Sequence, residues 1–232
     1  MSSTPKPLTF SYFKYRARAE SARALMSLAG DQCDCKEDAY DTPFFEEEHG
    51  RVWAEKKKSL PFHKVPVLKV QRSDGTRVTI PETAAVTGLL ARRYGYAGKD
   101  EVDAAICDAL TIKCNDILQS MVGAVVFQKS HTAESILKDA SHGSTQGLRE
   151  LEHYLKQLKS NNDSFVVGGS LSLGDLAVHF LAENYLKGIF KGAPEDAKAK
   201  KELEALAPSV AGTFHKVRAL PEMRPFFNNR PF

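Results

Sequence analysis

No stretch of this 232-residue chain approaches the roughly 20 consecutive apolar residues that a membrane-spanning helix needs. Residues 1–7 form a Ser/Thr/Pro/Lys tail without the apolar run of a secretory signal, so a cytoplasmic protein is expected. Cysteine is sparse: Cys33, Cys35, Cys107 and Cys114 match neither a disulfide framework nor a C-x-x-C pair, and read as reduced, packed thiols. Seven histidines give no H-E-x-x-H and no cluster at ligand spacing, and no Gly-rich phosphate loop is present. Neither a metal nor a nucleotide cofactor is therefore expected. A net charge of +3 with 29 acidic residues lacks the concentrated basic stripe of a nucleic-acid surface. The densest basic run, Lys56-Lys57-Lys58, reads by itself as a solvated helix face. What is there in quantity is 42% hydrophobic residues, ample for one large packed domain or two small ones.

The apolar pattern changes character along the chain. Leu8 to Phe13 reads as a strand, residues 19–29 as a helix ended by Gly30, and residues 32–37 as a second strand. A poorly defined helix follows at residues 51–58. Val67, Leu68 and Val70 lead to the hairpin signal Ser73-Asp74-Gly75, and residues 77–80 return as a strand. From Thr83 onward Ala84, Ala85, Val86, Leu89 and Leu90 recur at helical spacing, which completes a βαβαββα order. Tyr94-Gly95-Tyr96-Ala97-Gly98 breaks the pattern, and beyond it strand signals almost vanish, so domains at residues 1–95 and 99–232 are expected.

In the second part, Ile106, Leu110, Cys114, Ile117, Leu118, Met121 and Val125 keep one face of a long helix apolar. Leu148, Leu151, Leu155 and Leu158 do so for another, ended by Asn161-Asn162-Asp163. Residues 173–186 are apolar all round and predict a buried central helix, capped by a Ser172/Asp175 capping box that is structural rather than catalytic. Val210, Phe214, Val217 and Leu220 mark a last helix that starts near Pro208 and stops before Pro221.

The segment around Pro66 carries the clearest chemistry. Proline at the start of a strand holds Val65 extended, with its amide and carbonyl free to pair with an extended peptide. The amides and positive dipole end at Thr83 suit a carboxylate, and Glu82 beside them suits an ammonium group. A small acidic peptide with an amino-acid head at one end satisfies all three features, and glutathione has that shape.

These pieces, in this order, resemble the cytosolic glutathione transferases, the sigma class most closely, with alpha-class features. Residues 12–21, Tyr-Phe-Lys-Tyr-Arg-Ala-Arg-Ala-Glu-Ser, are similar to the family's Tyr-Phe-x-x-Arg-Gly-Arg-x-Glu opening. Val65-Pro66-Val67-Leu68 resembles its proline-preceded strand, and Ser172-x-x-Asp175 its capping box. The resemblance, which runs from Leu8 to about Pro231, implies an α+β thioredoxin-like domain followed by an all-helical domain, with Pro66 in the cis form. It implies that Tyr12 is the catalytic tyrosine and that Arg18 stabilises the glutathione thiolate. Trp53 and Lys57 then hold the glycyl carboxylate, Lys64 lies before the strand, Val65 pairs with the cysteinyl backbone beside Pro66, and Glu82 and Thr83 bind the γ-glutamyl end. Asp116 reaches the ligand across a dimer whose aromatic key is Phe62, and Phe13, Tyr15, Leu118 and Met121 line the electrophile pocket. The expected activity is conjugation of glutathione, a co-substrate, to hydrophobic electrophiles in detoxification by a homodimer without nucleic-acid or membrane partners. The other readings are a ligand-binding or structural protein of the same fold, as lens crystallins of the superfamily are, and a glutathione-dependent isomerase or peroxidase. Ala17 and His63 stand where the family commonly has glycine, and Glu82 where it has glutamine.

Overall fold

The computed structural model describes residues 8–43, 46–158, 165–190 and 193–230. Four strands form one mixed sheet: β1 (Leu8–Phe13), β2 (Cys35–Tyr40), β3 (Val67–Gln71) and β4 (Arg77–Pro81), in spatial order β2-β1-β3-β4. β1 runs parallel to β2, with Leu8 opposite Cys35 and Phe13 opposite Tyr40, and antiparallel to β3. β3 and β4 form the expected hairpin, whose turn is closed by the Asp74 carboxylate accepting from the Thr76 amide at 2.8 Å. α1 (Glu20–Ala29) and α3 (Thr83–Tyr94) pack together against the sheet. α2 (Glu47–Lys56) lies between β2 and β3 in sequence.

Two elements differ from the sequence expectation in their bounds. The second strand runs Cys35–Tyr40 rather than over residues 32–37, because Gly30 (φ 51) opens a tight turn over Gly30–Gln32 and pairing with β1 runs from Leu8 to Phe13. The second helix starts at Glu47 rather than 51 and gives way to a tight turn at Lys57–Ser59. None of its residues is buried, so it leaves no apolar period to read; Glu47 and Glu48 in its first turn and Lys56 in its last suit the helix dipole instead.

Beyond Tyr94 every described element is helical: α4 (Glu101–Val122), α5 (Ala133–Lys138), α6 (Gly143–Leu158), α7 (Leu173–Lys187), α8 (Ala197–Leu206), α9 (Pro208–Ala219) and α10 (Arg224–Asn228). α4 continues through a π-helical turn, Gly123–Phe127. The resulting 27-residue helix is long and apolar enough to cross a bilayer by length and composition, contrary to the sequence expectation. Its apolar face is instead packed against α6 and α7. α9 is not the last helix: Pro221, which ends it, also opens the turn Pro221–Met223 that leads into α10, where Phe226 is buried. The Asn161-Asn162-Asp163 stop lies outside the described residues.

α7 forms the centre, with all residues from Leu173 to Leu186 buried. The Ser172 hydroxyl accepts from the Asp175 amide at 3.4 Å and the Asp175 carboxylate accepts from the Ser172 amide at 3.0 Å, as the capping box requires. The carboxylate also takes the Val166 amide at 2.8 Å, so it ties down the preceding loop as well.

His179 occupies the middle of this helix, fully buried, stacked on Phe214 at 5.0 Å and donating through Nδ1 to the Phe214 carbonyl at 3.0 Å. Its Nε2 is buried without a partner, and desolvation pushes the imidazole down to about 4 from its ordinary 6.5. The unfolded chain therefore takes up a proton near pH 6.5 that the folded protein refuses until about pH 4. Stability is full above that window and falls as pH drops through it, by about 3 kcal/mol in total. Urea midpoints at pH 7, 6 and 5 are expected to fall steeply in the parent. His179→Gln, which can still donate to the carbonyl but takes up no proton, is expected to show a shallower fall.

Candidate functional site

β1 ends at the floor of a cleft of about 390 Å³ that opens between the sheet and the inner face of α4. Tyr12, Phe13, Tyr15 and Arg18 enter it from the end of β1 and the turn that follows, Trp53 and Lys57 from the end of α2, and Lys64 and Val65 from the approach to β3. Leu118 faces them from α4.

The turn after β1 is held by one guanidinium. Arg23, 4% exposed at its side chain, donates to the Tyr15 carbonyl at 2.6 Å and the Phe13 carbonyl at 2.9 Å. Its charge is met by Glu20 at 2.9 Å and Glu37 at 2.6 Å. Those bonds fix the backbone on either side of Lys14 and so aim the rings. Phe13 packs edge-on against Trp53 at 4.7 Å, and Tyr15 lies stacked on Phe13 at 5.5 Å and edge-on to Phe190 at 5.2 Å. Tyr12 is 3% exposed, and its hydroxyl donates to the Tyr15 hydroxyl at 3.4 Å. Burial raises the Tyr12 phenol above its ordinary value, and the Tyr15 hydrogen bond and the positive charge of Arg18 work against that rise. Both phenols are protonated donors at neutral pH. The Arg18 guanidinium is braced across the cleft by the Gln119 side-chain carbonyl on α4.

Of the three neighbouring lysines, only Lys57 lines the cleft. Lys56 sits 3.7 Å above the Tyr40 ring and Lys58 pairs with Glu55 at 2.8 Å. Val65 precedes a cis peptide bond to the buried Pro66, and among the described residues no backbone hydrogen bond outside the regular elements uses its amide or carbonyl. Glu82, at φ 72, is the residue before α3 and makes no side-chain cap, which leaves the first amides of that helix without an internal acceptor.

Several sequence-derived positions are not brought into the cleft. Thr83 lines a small adjoining recess of about 30 Å³ that shares Ala17, Arg18 and Leu118 with it. Glu82 is exposed beside that recess, and Pro66 is packed beneath Val65 rather than lining the cleft. Met121 is turned away: it lines a larger cavity of about 920 Å³ on the far side of Val126, Phe127, Ile189 and Phe190, which border both spaces. It lies three residues beyond Leu118 on α4, and the wall passes between them. Asp116 is exposed on α4, away from the cleft, and Phe62 is 67% exposed at φ 54. Gln119 and Phe190 line the cleft and carry no sequence signal that marks them, and His63, marked in the sequence only as a departure from the usual glycine, joins them. Ala17 (φ 50) and His63 (φ 54) both occupy the left-handed region that favours glycine, which accounts physically for the glycines common at those two positions.

No family model matches the chain. It is 26% identical over 228 residues to S-crystallin SL11 of Nototodarus sloanii, covering 96% of both proteins. It is 26% identical to probable glutathione S-transferase 6 of Caenorhabditis elegans, covering 95% of each. Hematopoietic prostaglandin D synthase of Gallus gallus is 28% identical, with 95% of this chain and 94% of that protein covered. Over nearly its whole length the chain is similar to members of the cytosolic glutathione transferase superfamily. The chain shares its fold with the sigma class glutathione transferase of Fasciola hepatica, at a TM-score of 0.65, 19% identity and coverage of 98% and 99%. Monomeric Na-GST-3, a glutathione S-transferase from the hookworm Necator americanus, superposes at 0.72 with 21% identity over 97% and 98% of the two chains. Among the described residues no group of His, Cys, Asp or Glu is placed to hold a metal ion.

Proposed function

We propose that the chain is a glutathione transferase that holds the tripeptide's sulfur as thiolate against the Tyr12 hydroxyl and conjugates it to hydrophobic electrophiles. The observation that carries this reading is a buried phenol at the floor of a cleft whose other polar contributors include Arg18, Lys57, Lys64 and the Val65 backbone. Three cations suit a ligand with two carboxylates, and the Val65 backbone, which lies ahead of β3 and outside its ladders, suits a peptide.

A free thiol with a pKa near 8.5 is only about 3% ionised at pH 7, so the site must favour the anion by roughly two units, near 2.7 kcal/mol. One hydrogen bond from a neutral donor to a charged acceptor contributes about 1.5–3 kcal/mol. Tyr12 supplies that bond, Arg18 adds a positive field, and the thiolate attacks an electrophilic carbon. Trp53 and Lys57 hold the glycyl carboxylate, Lys64 supports it, Val65 beside Pro66 pairs with the cysteinyl unit, and Glu82 with Thr83 takes the γ-glutamyl head. The electrophile occupies the apolar side of the cleft between Phe13, Tyr15 and Leu118. In this reading residues 1–95 bind glutathione and 99–232 supply the electrophile wall. The protein is cytoplasmic, and Phe62 and Asp116 act across a homodimer. One structural neighbour, Na-GST-3, is monomeric, so light scattering is the check on that last step.

Two observations keep other readings in view: the S-crystallin relative favours a structural or carrier protein, and the prostaglandin D synthase relative an isomerase. Conjugation of glutathione to 1-chloro-2,4-dinitrobenzene, measured beside retention on immobilised glutathione, separates the transferase from the carrier, and a screen of hydroperoxides and isomerisable substrates tests the isomerase or peroxidase. Retention without turnover supports the carrier, whereas turnover supports the transferase. Lys57→Ala is expected to raise the KM for glutathione at least about tenfold with little change in kcat, the loss of one charge-assisted bond made equally in ground and transition states.

A further inference from the structure

The pairing of Tyr12 with a second phenol in this cleft is not explained by an electrophile wall, for which any apolar ring would serve. Tyr15 is 9% exposed and rigidly seated, its ring between Phe13 and Phe190 and its carbonyl held by Arg23. Its backbone amide donates to the Phe13 carbonyl at 2.8 Å, and the next amide, Arg16, donates to the Phe190 carbonyl at 3.2 Å. The hydroxyl is thereby kept 3.4 Å from that of Tyr12.

We propose that Tyr15 is a positioning residue for the thiolate: with glutathione bound, its hydroxyl donates to the Tyr12 oxygen while Tyr12 donates to the sulfur. The proposal rests on the reading that Tyr12 faces the sulfur. A phenol donates one proton and accepts on the same oxygen, so the pair reverses direction by rotation about the C–O bonds alone. Without ligand, Tyr12 spends its proton on Tyr15; with the thiolate present, that proton turns to the stronger acceptor and Tyr15 takes the donor role behind it. No proton leaves either ring. A donor that itself accepts a hydrogen bond is polarised and becomes a better donor. The electrostatics run the same way: the bond from Tyr15 favours negative charge on Tyr12, whereas the bond to Tyr12 disfavours it on Tyr15.

The charged groups around the pair are Arg18 and Lys57 in the cleft, Lys64 at its rim, and Arg23, whose guanidinium carbon is 6.0 Å from the Tyr12 ring centre. His63 also lines the cleft, so the pH profile is repeated in a His63→Ala background.

The test is the pH dependence of thiolate absorbance with saturating glutathione, for the parent, Tyr15→Phe, Tyr12→Phe and the double variant. Tyr15→Phe is expected to reduce the thiolate fraction on the rising limb about threefold, with an equal displacement in the pH profile of kcat/KM. In the Tyr12→Phe background the same substitution is expected to change nothing further. An unmoved inflection in Tyr15→Phe overturns the proposal, and so does an equal shift in both backgrounds, which would mean Tyr15 acts on the sulfur directly. The carbon NMR shift of the Tyr12 Cζ, which follows the bonding of its hydroxyl, is measured without glutathione. If Tyr15→Phe moves that shift while the parent forms no thiolate, the transferase reading fails and the coupled pair of phenols stands. If the shift stays put, the pair itself is refuted.

Discussion

Tyr12→Phe is expected to lose between about tenfold and a hundredfold in kcat/KM for conjugation, the kinetic equivalent of one hydrogen bond to a charged acceptor. The ring stays in place: Phe13 and Tyr15 contact it edge-on at 5.6 and 5.3 Å, and neither contact uses the hydroxyl. The urea midpoint is therefore expected to move little, which separates loss of chemistry from loss of fold. With the thiolate as the proposed nucleophile, kcat/KM is expected to rise with pH through the sulfur's pKa. Removal of the donor carries that inflection upward, from near neutrality toward the free-thiol value of about 8.5. At a pH well above both inflections the two enzymes are expected to converge, since the sulfur is then ionised without help. A variant that kept the parent profile would remove Tyr12 from the mechanism, and the cationic Arg18 would become the principal stabiliser.

How much of this was readable beforehand depends on whether the cause is local. The order of strands and helices through Tyr94 follows from local apolar periods and turn residues, and the Ser172/Asp175 cap from a three-residue spacing. The boundary errors fall where local signals are weak: α2 buries no residue, and β2 begins where its partner strand begins rather than at a breaker. In the cleft, residues tied to a motif came together, among them Tyr12, Arg18, Lys57 and Val65. Met121 lines the larger cavity because one face of α4 serves two cavities, divided by side chains of the π-helical turn and of the segment after α7, which no local pattern reveals. The charges that fix the Tyr12 turn were not legible at all. Arg23 and Glu37 are separated by 14 residues, and Arg230 and Glu20 by 210, so each looks like an ordinary surface charge until the chain is folded.

That longest link carries the second large effect. Arg230→Ala is expected to destabilise the fold by about 3–5 kcal/mol, the range for removing one partner from a buried ion pair. The Arg230 side chain is 5% exposed, donates to both oxygens of Glu183 at 2.9 and 2.5 Å, and bonds to Glu20 through Nε. It also lies over the rings of Phe180 and Phe226, at 5.4 and 5.1 Å. Glu20 keeps Arg23 after the substitution, but Glu183 is left with Arg16 and Arg218, each at 4.0 Å. In the folded parent, Arg230 holds the Glu183 carboxyl below its usual range against the opposing effect of burial. Its ionic contribution is thus present above the unfolded carboxylate pKa and lost as pH falls through the lower folded value. The gap between parent and variant in urea midpoint is accordingly expected to be widest at neutral pH and to narrow as pH drops below the ordinary glutamate value, where Glu183 of the variant is neutral. Arg230→Lys, which keeps the charge but cannot span two carboxylates with a planar fork, is expected to fall between them. The loosening has a local reporter, because Trp53 is the chain's single tryptophan and touches Phe13, whose carbonyl Arg23 holds while paired to Glu20. A change in its emission that accompanies the lost stability would tie the C-terminal segment to the geometry of the tyrosine turn. An unchanged emission at full stability loss would confine Arg230 to docking α10.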